Sequence, residues 1–423
     1  MKRSSDDLMS ENESKSQLGP DASDHSREIR FIIDCSRTAV PEAAASRISA
    51  ALAEPIDWKF VLNVAQRNAV LPLLGRTLIQ GFSKQLPADI KASLESEQEC
   101  HLRHNLLQTR ELLEMVKFFG ANGITVLPFK GPMLAIEAYG DPSYRKFNDL
   151  DVLVQPKQFH KAVTLLTGKG WEPLTSVSWL TKRNWNISRK KDIYFVNPER
   201  NVNLELHWKL SGSHFGLPME INTLWDRLDS IILAGTPVRT LGITDLLIYL
   251  CLHGSRHSWE RFGWVCDVHE LILSKECIDW DQLFIASRRA GTENVVAFGL
   301  RLITDLFEFE VPDERWKTVI SSPMFAEMSA ETKNRLFAAK AQHIAIGDRY
   351  LDHLRLKERA FDRIKLHFHY LSWYLRIIFT PNEADRNVLA LPQALAPLHY
   401  VTRPIRLFYK YALRPRTSKP RHG

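Results

Sequence analysis

The sequence predicts an α+β protein, with a small sheet-bearing core between two helical regions. Two observations carry that expectation. Apolar residues recur at helical spacing before residue 120 and again after about residue 226, and between those limits the period shortens to that of strands. A chain of 423 residues with 44% hydrophobic side chains has enough length and apolar content for about two or three domains.

In chain order, residues 1–27 are rich in Ser, Asp, Glu and Asn and have little to bury, so disorder is expected there. Helical patterning runs over 28–120. Trp58, Val61, Leu62 and Ala65 fall on one face behind Asp57, a suitable N-cap, and Leu102, Leu106, Leu113 and Val116 form a second stripe that stops at Gly120. Over 121–225 the pattern reads as a core module: a strand from Ile124 to Phe129, a helix opening at Pro132, a strand ending in Leu153-Val154, and a helix from Pro156 to about Thr167. An aromatic and basic stretch follows Gly170. Two strand-like runs, Asp192–Asn197 and Val202–Trp208, then flank Asn197-Pro198-Glu199-Arg200-Asn201, which has the composition of a hairpin turn. Helices are expected over 226–380, among them Asp245–His253 and Trp264–Leu273, before a proline-containing basic tail over 381–423. Ile278-Asp279-Trp280 echoes Ile56-Asp57-Trp58, but three residues are too few to define a repeat.

Net charge is +7, yet residues 1–28 are net acidic, whereas Arg403–Gly423 carry seven Lys or Arg and no acid. Such an end suits nucleic acid, anionic membrane or plain solvation, and composition favours neither partner as a primary role. Cys35, Cys100, Cys251, Cys266 and Cys277 lack C-x-x-C spacing, which argues against a disulfide framework or zinc knuckle. With a polar N-terminus and no apolar run near ~18 residues, the expectation is a soluble, cytoplasmic protein.

The chemistry is expected at Asn148-Asp149-Leu150-Asp151-Val152-Leu153-Val154. In an extended chain Asp149 and Asp151 project to one face while Leu150 and Val152 face a core. Two carboxylates that close repel each other, and a hard divalent ion such as Mg2+ relieves the repulsion. In Val202-Asn203-Leu204-Glu205-Leu206-His207-Trp208 the same alternation frees Glu205 and His207 from the apolar face. If this strand lies beside the first, Glu205 completes an acidic triad able to hold two Mg2+ ions ~3.5–4 Å apart.

Phe129-Lys130-Gly131, Arg145, the D-x-D strand and Leu204-Glu205-Leu206-His207-Trp208 together resemble a bacterial uncharacterised nucleotidyltransferase family of the polymerase-β-type superfamily. The resemblance extends from the Trp58 helix through His253, His257 and Asp267. It implies a polymerase-β-like core in which Asp149 and Asp151 bind metal and Glu205 helps position or deprotonate an attacking hydroxyl. It further implies an NTP substrate and an unidentified hydroxyl-bearing acceptor, with Lys130, Gly131 and Arg145 binding the nucleotide. The superfamily's Gly-Ser is Gly131-Pro132 here, and proline brings neither an N–H nor a hydroxyl to a phosphate. Lys130 and Arg145 are the residues able to compensate.

His207, His253 and His257 are candidates for a substrate-facing wall. The bland alternatives are a hydrogen-bonded structural imidazole at His207 and helix packing at the other two. Two histidines four residues apart supply only half of a zinc site. The aromatic run Phe368, Tyr370, Trp373, Tyr374, Ile377 and Ile378 reads as core rather than a membrane-surface helix. No G-x-G-x-x-G, Walker, G-x-S-x-G or H-E-x-x-H motif is present. The alternatives to a metal-dependent nucleotidyltransferase are a nucleotide-binding protein of the same fold with weakened turnover, and a nucleic-acid-modifying enzyme.

Overall fold

A computed structural model describes residues 25–174, 191–210, 221–275, 278–382, 385, 395 and 398–409. The expected disorder before residue 25, the aromatic and basic stretch over 175–190, Cys277 and the tail beyond residue 409 lie outside the described residues. The chain forms two compact units: Leu18–Ile344 with Leu351–Glu358, and Ala345–Tyr350 with Met1–Gln17 and Arg359–Gly423.

The larger unit is built on a five-stranded mixed sheet in the order β1 (Val126–Pro128), β2 (Leu150–Val154), β5 (Val202–His207), β4 (Asp192–Asn197), β3 (Glu172–Pro173). Only β2 and β5 run parallel; the other neighbours are antiparallel. The β4–β5 hairpin forms where its turn residues predict it, with Asn201 at φ 52° and the Arg200 N–H donating to Asn197 Oδ1 at 3.2 Å. Arg200 also ties the hairpin tip to Glu111 and Glu114 of the long Ala88–Ala121 helix, at 2.7 and 2.8 Å.

Every residue of β2 is buried, so the simple in/out alternation is incomplete. Leu150, Val152 and Val154 join Leu112, Met115, Phe119, Phe159 and Leu166 in one core, as the pattern predicts. Leu153, on the carboxylate side, joins Leu127, Phe129, Leu246 and Tyr249 in a second. On that second face Asp151 is buried with the strand, and Asp149, just before it, is half-buried.

Past residue 226, where helices are expected to dominate, a hairpin that the pattern did not single out comes first. β6 (Leu228–Leu233) and β7 (Thr236–Leu241) form it around Ala234-Gly235, with φ of 46° and 77°. That turn needs two positive-φ residues, and Ala-Gly advertises it less clearly than Asn-Gly would. Thr240 Oγ1 then donates to the Pro128 carbonyl at 3.0 Å, docking the hairpin against β1. Helices Ile243–Arg256, Phe262–Leu273, Trp280–Ala290 and Glu293–Phe307 follow. Asp57 and Asp279 each cap a helix, accepting from Phe60 N–H at 2.9 Å and Gln282 N–H at 2.8 Å, which accounts for their three-residue echo as local capping chemistry.

In the smaller unit, the aromatic run read as core is buried only in part: Phe368 is 67% exposed, Tyr370, Trp373, Tyr374, Ile377 and Ile378 are half-buried, and Leu366 is the buried residue of Ala360–Phe379. Arg403, within the helix His399–Phe408, donates to the Ile377 carbonyl at 2.9 Å, and Asp385 takes Arg403 and Arg406. That helix continues through Pro404.

Candidate metal and nucleotide site

The parallel pairing of β2 and β5 sets Asp151 opposite Glu205 and Leu153 opposite His207. Because side chains alternate, Glu205 and His207 then emerge on the face that carries Asp151. One ligand atom from each of Asp151, Glu205 and His207 lies within 4.8 Å of the others. His207 Nε2 is 3.2 Å from both Asp151 Oδ1 and Glu205 Oε2, and a single nitrogen cannot satisfy both carboxylates with one proton.

β4 contributes residues that the sequence pattern did not single out. Its register puts Asp192 opposite His207 and Tyr194 opposite Glu205. Asp192 Oδ2 lies 3.7 Å from His207 Nδ1, which has no hydrogen-bond partner among the described residues, and Lys191 contacts Asp192 and lies 3.9 Å from Glu205. The available signal was Lys191-Asp192 at the entry of a strand paired antiparallel with the Glu205 strand. Lys130 enters from the end of β1, with Nζ 3.6 Å from Asp151 Oδ1 and 5.5 Å from the centre of the Tyr249 ring.

The electrostatics follow from crowding. Burial, reinforced by Asp151 and Glu205, pushes the Asp149 carboxyl up to about 6. Burial acts on Asp151 in the same direction, but Lys130 and His207 outweigh it and hold that carboxylate well below the usual range. Lys130 is likewise desolvated, yet Asp151 chiefly keeps it protonated, above the ordinary lysine range. Burial and Lys191 lower the His207 pKa, while its hydrogen bonds to Asp151 and Glu205 produce a net rise.

Gly131 has φ 55° and ψ −127°, a region that side chains other than glycine's disfavour. A Cβ there would stand 3.2 Å from the Asp149 carbonyl, so the glycine allows the β1 loop to pass the entry of β2. The helix Pro132–Tyr139 starts next. Proline has no N–H, and that of Met133 is used by the Lys130 carbonyl at 3.1 Å.

Arg145 is placed differently from the other expected nucleotide ligands. Its Nε and Nη2 bind Asp267 Oδ1 and Oδ2 at 2.7 and 2.9 Å, and the Tyr139 hydroxyl donates to the same carboxylate at 2.8 Å. Burial would lower the Arg145 pKa, but Asp267 raises it further. In the sequence Asp267 stands out only through the family likeness, and its partnership with Arg145 appears only in the fold.

The three wall candidates do lie along one run of rings. Phe129 meets His207 at 5.3 Å and Tyr249 at 5.0 Å, and His253 lies 6.1 Å from Tyr249, 4.9 Å from His257 and 5.0 Å from Trp264. Arg256 donates to His257 Nε2 at 3.1 Å. Burial, with Lys130 and His257, drives the His253 pKa well below the usual imidazole value, so this ring is neutral at pH 7.

Residues 54–308, which include this whole constellation, match the family described as uncharacterised nucleotidyltransferase. The chain belongs to that family. No curated protein matches it. The match to the nucleotidyltransferase family lies wholly within the larger unit.

Proposed function

We propose that this protein is a divalent-metal-dependent nucleotidyltransferase with a polymerase-β-like core. In this reading a hydroxyl on an acceptor attacks the α-phosphorus of an NTP, the P–O bond to the leaving phosphate breaks, and pyrophosphate departs. The observation that carries the proposal is the register of Asp151 against Glu205, with Asp149 at the strand entry.

The donor set fits a divalent cation. Asp149, Asp151, Glu205 and Asp192 face Lys130, Lys191 and His207, so four carboxylates outnumber the cationic groups and the cluster keeps surplus negative charge even with the imidazole protonated. Asp149, Asp151 and Glu205 offer the oxygen ligands a hard ion such as Mg2+ takes, and two ions are the expectation for in-line transfer. A bound ion supplies charge neutralisation at the reacting phosphoryl group and a more acidic acceptor hydroxyl. Glu205, with a half-open side chain, orients that hydroxyl. Lys130 and Lys191 supply positive charge to the triphosphate in place of the amide cradle that Pro132 cannot provide. His253 and His257 offer a wall for substrate.

The test is incubation of each NTP, labelled at the α-phosphate, with a cell extract and Mg2+. Label should pass to an acceptor with the native protein and fail to pass with Asp151→Asn. No transfer with any NTP or extract, despite calorimetric NTP binding, would favour the second reading, a binder with weakened turnover. The engaged or missing N–H groups at Pro132 and Met133 support that alternative.

A further inference from the structure

The helix Ala360–Phe379 carries Phe361, Ile364, Phe368, Leu371, Leu375 and Phe379 at successive steps of three or four residues, and all six are exposed. At 100° per residue they form one continuous stripe. Phe361 and Phe368 are 65% and 67% exposed, unusually open for large aromatic side chains in so regular an array. Its neighbour, His399–Phe408, repeats the arrangement in miniature: Val401, Ile405 and Phe408 share an exposed face, while Arg403 is turned toward Ile377 and Asp385.

The charge of this unit is equally uneven. Residues 359–423 contain twelve Lys or Arg and three Asp or Glu, a net +9, so the remainder of the chain is net −2. On the long helix, helical geometry sets Lys365 and Arg376 along one flank of the apolar stripe and Arg363 beyond the other. Lys365 Nζ lies 4.2 Å from the centre of the Phe361 ring, so its stem runs beside the stripe.

We propose that the smaller unit docks on an anionic lipid bilayer, with the Phe361-to-Phe379 stripe entering the interface and the surrounding basic residues facing the headgroups. Both features are needed by such a surface: apolar side chains gain from the acyl boundary, and basic residues gain from anionic lipid. A symmetric second copy would cover the stripe but would bring one +9 segment, residues 359–423, against its equal. A nucleic acid would match the charge but leave the aliphatic members of the stripe without an apolar partner. Among the described residues no helix is long and apolar enough to cross a membrane, which agrees with a helix lying on one.

The test is co-sedimentation of the full-length protein with vesicles of phosphatidylcholine, alone or mixed with phosphatidylglycerol. Binding to the mixed vesicles, weakened by salt, and little binding to the neutral ones is expected. The triple variant Phe368→Ser, Leu371→Ser, Leu375→Ser should bind at least tenfold more weakly with unchanged circular dichroism, whereas Phe368→Trp should retain binding. Deleting residues 410–423, which contain five Lys or Arg, should weaken binding and flatten its salt dependence, by up to about fivefold in affinity per basic residue lost near the surface. Failure of the native protein to bind mixed vesicles overturns the proposal. Sedimentation equilibrium showing a dimer that the triple variant abolishes, without vesicle binding, would instead assign the stripe to a second copy. Salt-dependent RNA binding that ignores the triple variant, again without vesicle binding, would assign the unit to nucleic acid.

Discussion

Among the buried meetings of acid and base in the larger unit, those at Arg145 and at Asp151 are built to opposite rules. At Arg145–Asp267 one guanidinium meets one carboxylate through two bonds of 2.7 and 2.9 Å, and the Tyr139 hydroxyl adds a third donor to that carboxylate. Around Asp151 several carboxylates share Lys130, Lys191 and one imidazole at separations mostly of 3.2–3.9 Å. A bidentate pair meets its own charge internally and holds elements together. An open cluster with surplus negative charge gains when a cation arrives. The difference separates an anchor from a site, although both were equally visible as charged residues in a family-like pattern.

The largest expected effect is at the anchor. Asp267→Asn should leave the buried Arg145 cation without its counter-charge and lower stability by about 3–5 kcal/mol in urea unfolding. If Asp267→Asn and Arg145→Met both left stability intact and weakened only NTP binding, the comparison would collapse and Arg145 would return to the nucleotide site.

Substitution in the open cluster should do the reverse. Asp149→Asn or Asp151→Asn should lower nucleotidyl transfer at least ~100-fold, about 2.7 kcal/mol of transition-state stabilisation. Removing Asp149 also relieves its repulsion with Asp151 and Glu205, so metal-free Asp149→Asn should be as stable as the native protein or more so. Native turnover by both variants would reduce the cluster to a charged strand end. A smaller effect is expected at Lys130, where Lys130→Ala should weaken Mg·NTP binding about tenfold, or ~1.4 kcal/mol, by calorimetry. Equal weakening by Lys130→Ala and by an Arg145 variant of native stability would blur the distinction.

Much of the frame was legible because local chemistry and tertiary structure agree. Asp57 caps its helix, Asn197 and Asn201 shape their turn, and two-residue alternation brings Asp151, Glu205 and His207 to one face. What periodicity could not give was pairing across the sheet. Asp192 and Tyr194 reach the cluster only because β4 runs antiparallel to β5 in one register, and a one-residue slip would turn both away. Arg145 could not be separated from Lys130 by residue type, because its partner lies 122 positions away. The outward stripe of Ala360–Phe379 was not separable from the half-buried aromatic run beside it, because an apolar stripe has the same period whether it faces a core or an outside partner.

The smallest expected effect concerns the segment that links the anchor to the site. The loop before Asp149 is held from the Ala88–Ala121 helix, where His101 Nε2 meets the Arg145 carbonyl at 3.1 Å and His104 Nε2 meets that of Phe147 at 3.2 Å. Burial, opposed by the bond to that carbonyl and aided by Lys146, brings the His101 pKa down to about 4. The unfolded chain takes up this proton near pH 6.5, the folded one only near 4, so the unfolded state binds more protons between those values. Stability from a neutral His101 is therefore full above pH 6.5 and is lost as pH falls toward 4. After allowance for partial solvent access, the loss at pH 5 should be about 1 kcal/mol relative to pH 7. His101→Asn cannot titrate, so it should be less stable at pH 7 through the lost bond yet show a shallower fall toward pH 5. Urea midpoints of both proteins across that range measure the difference directly. Parallel profiles would mean that His101 titrates alike in both states, and that the loop is held without excluding its proton.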